Sequence, residues 1–329
     1  MTDRVRAAIL TLALSLAVGA AQAQELNFGL ISTESSPNLA QTWDPFIDAM
    51  SAQTGLTVKA FYAPDYAGVI EAMGRETVDL AWFGNKSAIT AVDRSGGEVF
   101  AQSVDASGNP GYWSVLVTHK DSGLTYQDVL TCDQSLAFGN GDPQSTSGFL
   151  VPSYYIFAQN NVEPRDCYKT VTNATHEANL FSVAEKRVDF ATSNSESLGR
   201  FEKNAPEIFD NIKEIWRSPL IPSDPIVWRK SLDQGTKDQI LSFFMRYGRI
   251  GTEEEVKAAR AILADLEWAP FRPSSNAQLY PVRQLQLFAD KLNAQADGSL
   301  SAQQKKQKIT EIDAQLKEIS RLASQVPQL

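Results

Sequence analysis

Residues Glu25–Arg94 read ELNFGLISTESSPNLAQTWDPFIDAMSAQTGLTVKAFYAPDYAGVIEAMGRETVDLAWFGNKSAITAVDR. Glu25–Ser32 alternates apolar and polar residues and then turns, as a strand does. Pro37–Thr54 sets Leu39, Trp43, Phe46, Ile47 and Met50 at helical spacing. Thr57–Tyr62 predicts a second strand, and Tyr66–Arg75 a helix with Ile70 and Met73 inward. Val78–Phe83 is an apolar run of the fully buried strand type, and Asn85–Arg94 is helical again. This β-α-β-α-β order predicts an α/β fold with a mainly parallel sheet.

Outward from this stretch the rhythm recurs. Val99–Val104 and Tyr112–His119 read as strands. A helix near Tyr126–Leu130, a strand at Leu136–Phe138, a helix from Ser145 and a helix at Glu177–Glu185 follow. Val188–Thr192 is a strand, Ser195–Asn204 a helix and Ile212–Arg217 a strand. Ile226–Arg229 reads as a return crossing before helices at Thr236–Tyr247 and Glu253–Leu263. Crossings near Asn109–Ser114 and Pro222–Trp228 divide the chain into two discontinuous lobes, residues 24–111 with 227–300 and residues 112–226. Ligands favour the cleft such a layout creates, at strand C-ends and helix N-ends. Residues 301–329 form a C-terminal helical extension whose Ile309, Ile312, Leu316, Ile319, Leu322 and Val326 make a narrow seam. That seam fits either a helix packed on its own domain or a homodimerisation arm.

The first residues address the compartment. Arg4 and Arg6 precede a small, apolar stretch from Ala7 to Ala20, and Ala21-Gln22-Ala23 before Gln24 is a small-x-small cleavage site. Residues 1–23 read as a secretory signal peptide, which places the mature chain in a periplasm-like space. The full chain carries a net charge of −9, and removal of Asp3, Arg4 and Arg6 with the leader leaves −10. That charge argues against nucleic acid as a partner and against broad capture of an anion, so attraction of an anion must be local and dipolar. The two cysteines, Cys132 and Cys167, fit a disulfide in an oxidising compartment, with two buried thiols as the alternative.

The run Gly139-Asn140-Gly141-Asp142-Pro143-Gln144-Ser145-Thr146-Ser147-Gly148 leads from a strand into a helix start. A helix N-terminus offers free N–H groups and a positive dipole end, and three hydroxyls beside it can cradle a tetrahedral anion without Lys or Arg. An ordinary capped helix start has the same residues.

Several segments together are more specific. ISTES (Ile31–Ser35), APDYAG (Ala63–Gly68), PGYWSVL (Pro110–Leu116), FGNGDP (Phe138–Pro143), STSGFLVP (Ser145–Pro152), SPLIP (Ser218–Pro222) and DPIVWRK (Asp224–Lys230) occur in this order. Together they resemble the periplasmic phosphonate-binding proteins of ABC uptake systems, from about Leu26 to the final helix. The resemblance implies the two-lobed periplasmic binding protein fold (type II), hinged closure on a ligand and delivery to an inner-membrane permease. It implies Ser145, Thr146, Ser147, Tyr66, Tyr112 and His176 as contacts to the phosphonate. Glu196 and Asp224 are implied at the far end of the ligand. Two carboxylates buried in a cleft need a compensating cation, and an ammonium two carbons from the phosphonate supplies it. The expected ligand is therefore 2-aminoethylphosphonate or a close analogue.

Two other readings compete. One is a binding protein for another oxyanion: phosphate, phosphite, methylphosphonate or a phosphate monoester. The other is a serine-dependent hydrolase using Ser145 or Ser147 with His176 and Asp224. No Gly-x-Ser-x-Gly elbow surrounds either serine, and only two His are present, too few for the usual metal-dependent phosphohydrolase. The expectation is a protein that is not an enzyme, with no cofactor and no metal site.

Overall fold

The computed structural model describes residues 24–325. The leader read over residues 1–23 lies outside the described residues, as does Val326 of the C-terminal seam. Two sheets form the centres of two lobes. The six-stranded sheet runs Trp268–Pro273, Gly97–Asp105, Pro225–Arg229, Leu80–Trp82, Glu25–Leu30, Thr57–Tyr62. The five-stranded sheet runs Ile212–Arg217, Ser114–His119, Phe190–Asn194, Ala137–Gly141, Thr170–Ala174.

The sheets are mixed rather than mainly parallel. Glu25–Leu30 pairs in parallel with both Thr57–Tyr62 and Leu80–Trp82, as the β-α-β pattern requires. Strands that enter from a crossing run the other way: Pro225–Arg229 is antiparallel to Leu80–Trp82, and Ser114–His119 to Phe190–Asn194. The segment expected as one strand over Tyr112–His119 is split. Gly111–Tyr112 pairs with Ile221–Pro222 in a separate two-stranded ribbon, which joins the lobes, while Ser114–His119 belongs to the five-stranded sheet. A Cβ on Gly111 would sit 1.8 Å from the Ile221 carbonyl oxygen, so only glycine lets the two crossing chains approach this closely.

The larger core buries Phe28, Phe46, Phe244 and Phe271 completely, and each such side chain contributes about 1.5–3 kcal/mol. Trp43 extends this core towards the cleft, stacking on Trp82 at 5.2 Å between centroids. The second lobe centres on Phe138, Tyr168 and Phe190. The structure joins Cys132 to Cys167 across 35 residues of this lobe, a closure that constrains the unfolded chain by about 3–4 kcal/mol in the entropic account.

The helix expected from Ser145 is irregular. Thr146–Leu150 and Ser153–Phe157 are π-helical turns, with Leu150 N donating to Ser145 O. Pro152 has no N–H to continue the α ladder, and π turns concentrate at functional sites. The strands Thr170–Ala174 and Trp268–Pro273 carry no clean period in the sequence, whereas helix Tyr280–Ala296 sets Val282, Leu285, Ala289 and Leu292 at helical spacing. Helix Ala302–Ala323 folds back on Tyr280–Ala296, with Ile312 buried, Lys291 paired with Asp313 at 2.6 Å and Gln284 bonded to Ser320 at 3.0 Å. The helix thus packs on its own domain. No helix among the described residues is long and apolar enough to cross a membrane.

Candidate functional site

Five helix starts converge between the lobes. Helix Tyr66–Gly74 begins with Tyr66, after Asp65 caps Gly68 N at 2.8 Å. Helix Asn85–Arg94 opens at the end of strand Leu80–Trp82. In the other lobe Ser145 caps its own turn, its Oγ accepting from Gly148 N at 2.9 Å. Helix His176–Ala184 begins with His176 behind the Thr175 cap, and helix Ser195–Asn204 carries Glu196 in its first turn behind the Asn194 cap. Positive dipole ends and free N–H groups therefore face one cavity from both lobes. The cavity is narrow, with about 10 Å³ of free volume, far below the ~300–1,000 Å³ of drug-sized pockets. All eight residues expected in the site line it. A larger open groove of about 690 Å³ is edged by Asn38, Glu177, Lys203 and Asp265 and shares Arg200 with the cavity.

One end of the cavity is made of neutral donors. Ser145, Thr146, Ser147 and His176 are all buried. His176 Nε2 lies 3.4 Å from Ser145 Oγ and 3.5 Å from Ser147 Oγ, and Asn194 Nδ2 lies 3.4 Å from Ser147 Oγ. Strand Ala137–Gly141 delivers this cradle with little clearance, since a Cβ on Gly141 would lie 2.5 Å from the Gly148 backbone. Thr146 Oγ1 accepts from Lys86 N at 2.8 Å, so the middle hydroxyl already reaches the opposite lobe. Burial pushes the Tyr66 phenol up, aided by Asp142 and Asp224, which keeps it a neutral donor.

The other end is acidic. Asp224 is 6% exposed; its Oδ2 accepts from Trp82 Nε1 at 3.0 Å and its Oδ1 from the Tyr112 hydroxyl at 3.0 Å. Tyr112, expected on the phosphonate, thus has its one proton committed to a carboxylate. Burial, then Glu196, raises the Asp224 carboxyl well above the usual range. Burial also raises Glu196, with Arg200 opposing and Asp105 adding to it.

Sequence reasoning passed over Thr33, Trp82, Asn194 and Arg200, which line the same cavity. Arg200 had a visible signal, since it follows Glu196 by four residues on one helix face. Its Nε donates to Glu34 Oε1 of the other lobe at 2.6 Å, and Glu267 lies 4.0 Å away. Trp82 had none, because a strand tryptophan reads as core until its neighbour Trp43 is known to turn the indole N–H towards Asp224.

The arrangement does not make a hydrolase. His176 Nδ1 has no partner, so nothing orients the imidazole, and Asp224 is held by Trp82 and Tyr112 instead. Both serine–histidine distances are at the limit of a hydrogen bond.

The two ends give opposite pH dependences. Burial, then Arg200, lowers the His176 imidazole to about 3, so the unfolded chain binds the extra proton below its normal range; this part of stability is present above about pH 6.5 and lost as pH falls. Asp224 and Glu196 are raised, so their contribution is present below about pH 4 and lost as pH rises through the raised values. A ligand ammonium requires both carboxylates charged and must expel their protons. The ratio of methylphosphonate Kd to 2-aminoethylphosphonate Kd should therefore grow as pH rises from about 5 to about 8, the anion end being common to both ligands. Calorimetric titration across that range checks this, and a flat ratio would count against an amine at the acidic end.

The family model for ABC transporter, phosphonate, periplasmic substrate-binding proteins matches residues 28–279. The phosphonates-binding periplasmic protein of Escherichia coli K12 is 53% identical over 302 residues, covering 92% of this chain and 87% of that protein. A solved binding-protein component of an ABC phosphonate transporter from Pseudomonas aeruginosa is 47% identical, with a TM-score of 0.88, covering 92% of this chain and 99% of that one. A Prochlorococcus marinus protein solved with methylphosphonate shares the fold at 22% identity and a TM-score of 0.70, covering 80% of this chain and 97% of that one.

Proposed function

This chain belongs to the periplasmic substrate-binding proteins of phosphonate ABC transporters, and we propose that within that family it takes 2-aminoethylphosphonate-like ligands. It is a solute-binding component that works with a permease, not an enzyme. The observation that carries the ligand reading is the charge balance of the acidic end. Glu196 and Asp224 line the cavity, yet the donors on Asp224 are neutral, and Arg200, the cation beside them, is paired with Glu34. A ligand ammonium completes that balance, and buried charges persist only when paired. The neutral cradle of Ser145, Thr146, Ser147, Tyr66 and His176 takes the phosphonate by charge-assisted hydrogen bonds. Tyr112 in this reading serves the acidic end, holding Asp224 in place. The leader over residues 1–23 accounts for export.

One observation favours a second reading. A raised Asp224 or Glu196 carboxyl that stays protonated becomes a donor, and the cleft would then take a plain oxyanion such as methylphosphonate or phosphate. Calorimetric titration of the mature protein with 2-aminoethylphosphonate, methylphosphonate and phosphate separates the two. The amino compound should bind at least about 100-fold tighter than methylphosphonate, the value of a buried charge-assisted contact. Equal or reversed order supports the oxyanion reading.

A further inference from the structure

Thr33 is 4% exposed and lines the cavity together with Ser145, Ser147 and His176, but from the opposite lobe. Its Oγ1 is one of the few buried side-chain atoms among the described residues with no hydrogen-bond partner. Its segment is tied to neighbours through the backbone. Thr33 N donates to Ile31 O at 2.8 Å, and Thr33 O accepts from Glu177 N at 3.2 Å, the residue next to His176. Ser35 N donates to Glu177 Oε2 at 2.7 Å, and Glu34 pairs with Arg200 at 2.6 Å. Contacts to the second lobe thus fix the backbone, while the buried Thr33 hydroxyl, on a residue that lines the cavity, is left without a partner. Buried hydroxyls without partners are uncommon and need a cause. Here the cause lies in the contents of the cavity, beside the helix start that also carries His176.

We propose that the Thr33 hydroxyl donates to a phosphonate oxygen from the lobe opposite the Ser145–Ser147 cradle. The anion is thereby held from both lobes, and the loop Ser32–Ser35 seats on Glu177 and Arg200 as the hydroxyl finds its partner. This rests on phosphonate binding in the cleft but not on the amine, and both ligand types should feel it alike.

The test is calorimetry of Thr33→Val, which keeps the shape and removes the hydroxyl, and Thr33→Ser, which keeps the hydroxyl. Each is titrated with methylphosphonate and 2-aminoethylphosphonate alongside the unsubstituted protein. Thr33→Val should lose roughly ten-fold in affinity for both ligands while its ligand-free melting temperature holds, and Thr33→Ser should stay within about three-fold. Loss for the amino ligand alone would put the hydroxyl at the acidic end and overturn the assignment. Unchanged affinity in Thr33→Val would overturn it as well. If the unsubstituted protein prefers methylphosphonate, the amine reading fails and Thr33 is still decided on that ligand. If it binds neither phosphonate, both readings fall.

Discussion

Glu196→Gln and Asp224→Asn should each weaken binding of 2-aminoethylphosphonate by ~2–3 kcal/mol, roughly 30–150-fold, and leave methylphosphonate within a few-fold. Both substitutions keep the shape of the acidic end. In Asp224→Asn the amide oxygen still accepts from Trp82 Nε1, and the amide nitrogen donates to the Tyr112 hydroxyl, which reverses from donor to acceptor. The local network survives, and only the charge is lost. Glu196 sits in the first turn of helix Ser195–Asn204, where its negative charge also faces the helix dipole. Burial outweighs that dipole contact and raises the carboxyl, so the ligand-free Glu196→Gln variant should melt no lower than the unsubstituted protein. Because Glu196 raises the Asp224 carboxyl, removing Glu196 lets Asp224 ionise more easily, so the double variant should lose less than the sum of the singles. Equal losses for both phosphonates would mean that the carboxylates only shape the cleft. No loss for either would remove them from the ligand altogether.

What was legible in the sequence follows the range of the interaction concerned. The first three strands and three helices, Glu25–Arg94, show their periods because each buries one face or two against its own neighbours. Strand Trp268–Pro273 does not, since its two prolines break the pattern and its pairing with Gly97–Asp105 is wholly non-local. In the site, Tyr66, Ser145–Ser147, His176 and Glu196 are legible because each sits on a helix start with a capping signature. Residues whose partners lie in the other lobe are not legible in this way. Thr33 and Arg200 find theirs in Glu177 and Glu34 respectively, more than a hundred residues away. Tyr112 is expected on the anion through the family resemblance, and its hydroxyl bonds Asp224, 112 residues away, a pairing that no local motif shows.

Arg200→Met should weaken both phosphonates by ~2–3 kcal/mol, on the order of 100-fold, and methylphosphonate more than 2-aminoethylphosphonate. Two effects compete. Arg200 reaches across the cleft to Glu34 at 2.6 Å and towards Glu267, whose carboxyl is raised to about 7 by burial against the pull of Arg200. Without the guanidinium, closing the lobes buries Glu34 and Glu267 near Glu196 and Asp224 with no cation between them, and one-sided removal from a buried pair costs ~3–5 kcal/mol. In an open cleft water solvates the same carboxylates, so the penalty falls on closure rather than on folding. The ligand-free melting temperature should therefore change little, while compaction on ligand addition, read by small-angle scattering, should diminish. Against this, the same loss leaves the acidic end more negative, which strengthens its hold on an ammonium. Closure wins because it buries several carboxylates at once, whereas the ammonium gains one more distant charge; the amino ligand recovers only part of what methylphosphonate loses. Arg200→Lys, with its charge kept but its fork gone, should fall between. Undiminished methylphosphonate affinity in Arg200→Met would show that the Glu34 pair does not hold the lobes together, and a large fall in ligand-free stability would make Arg200 a brace of the fold instead.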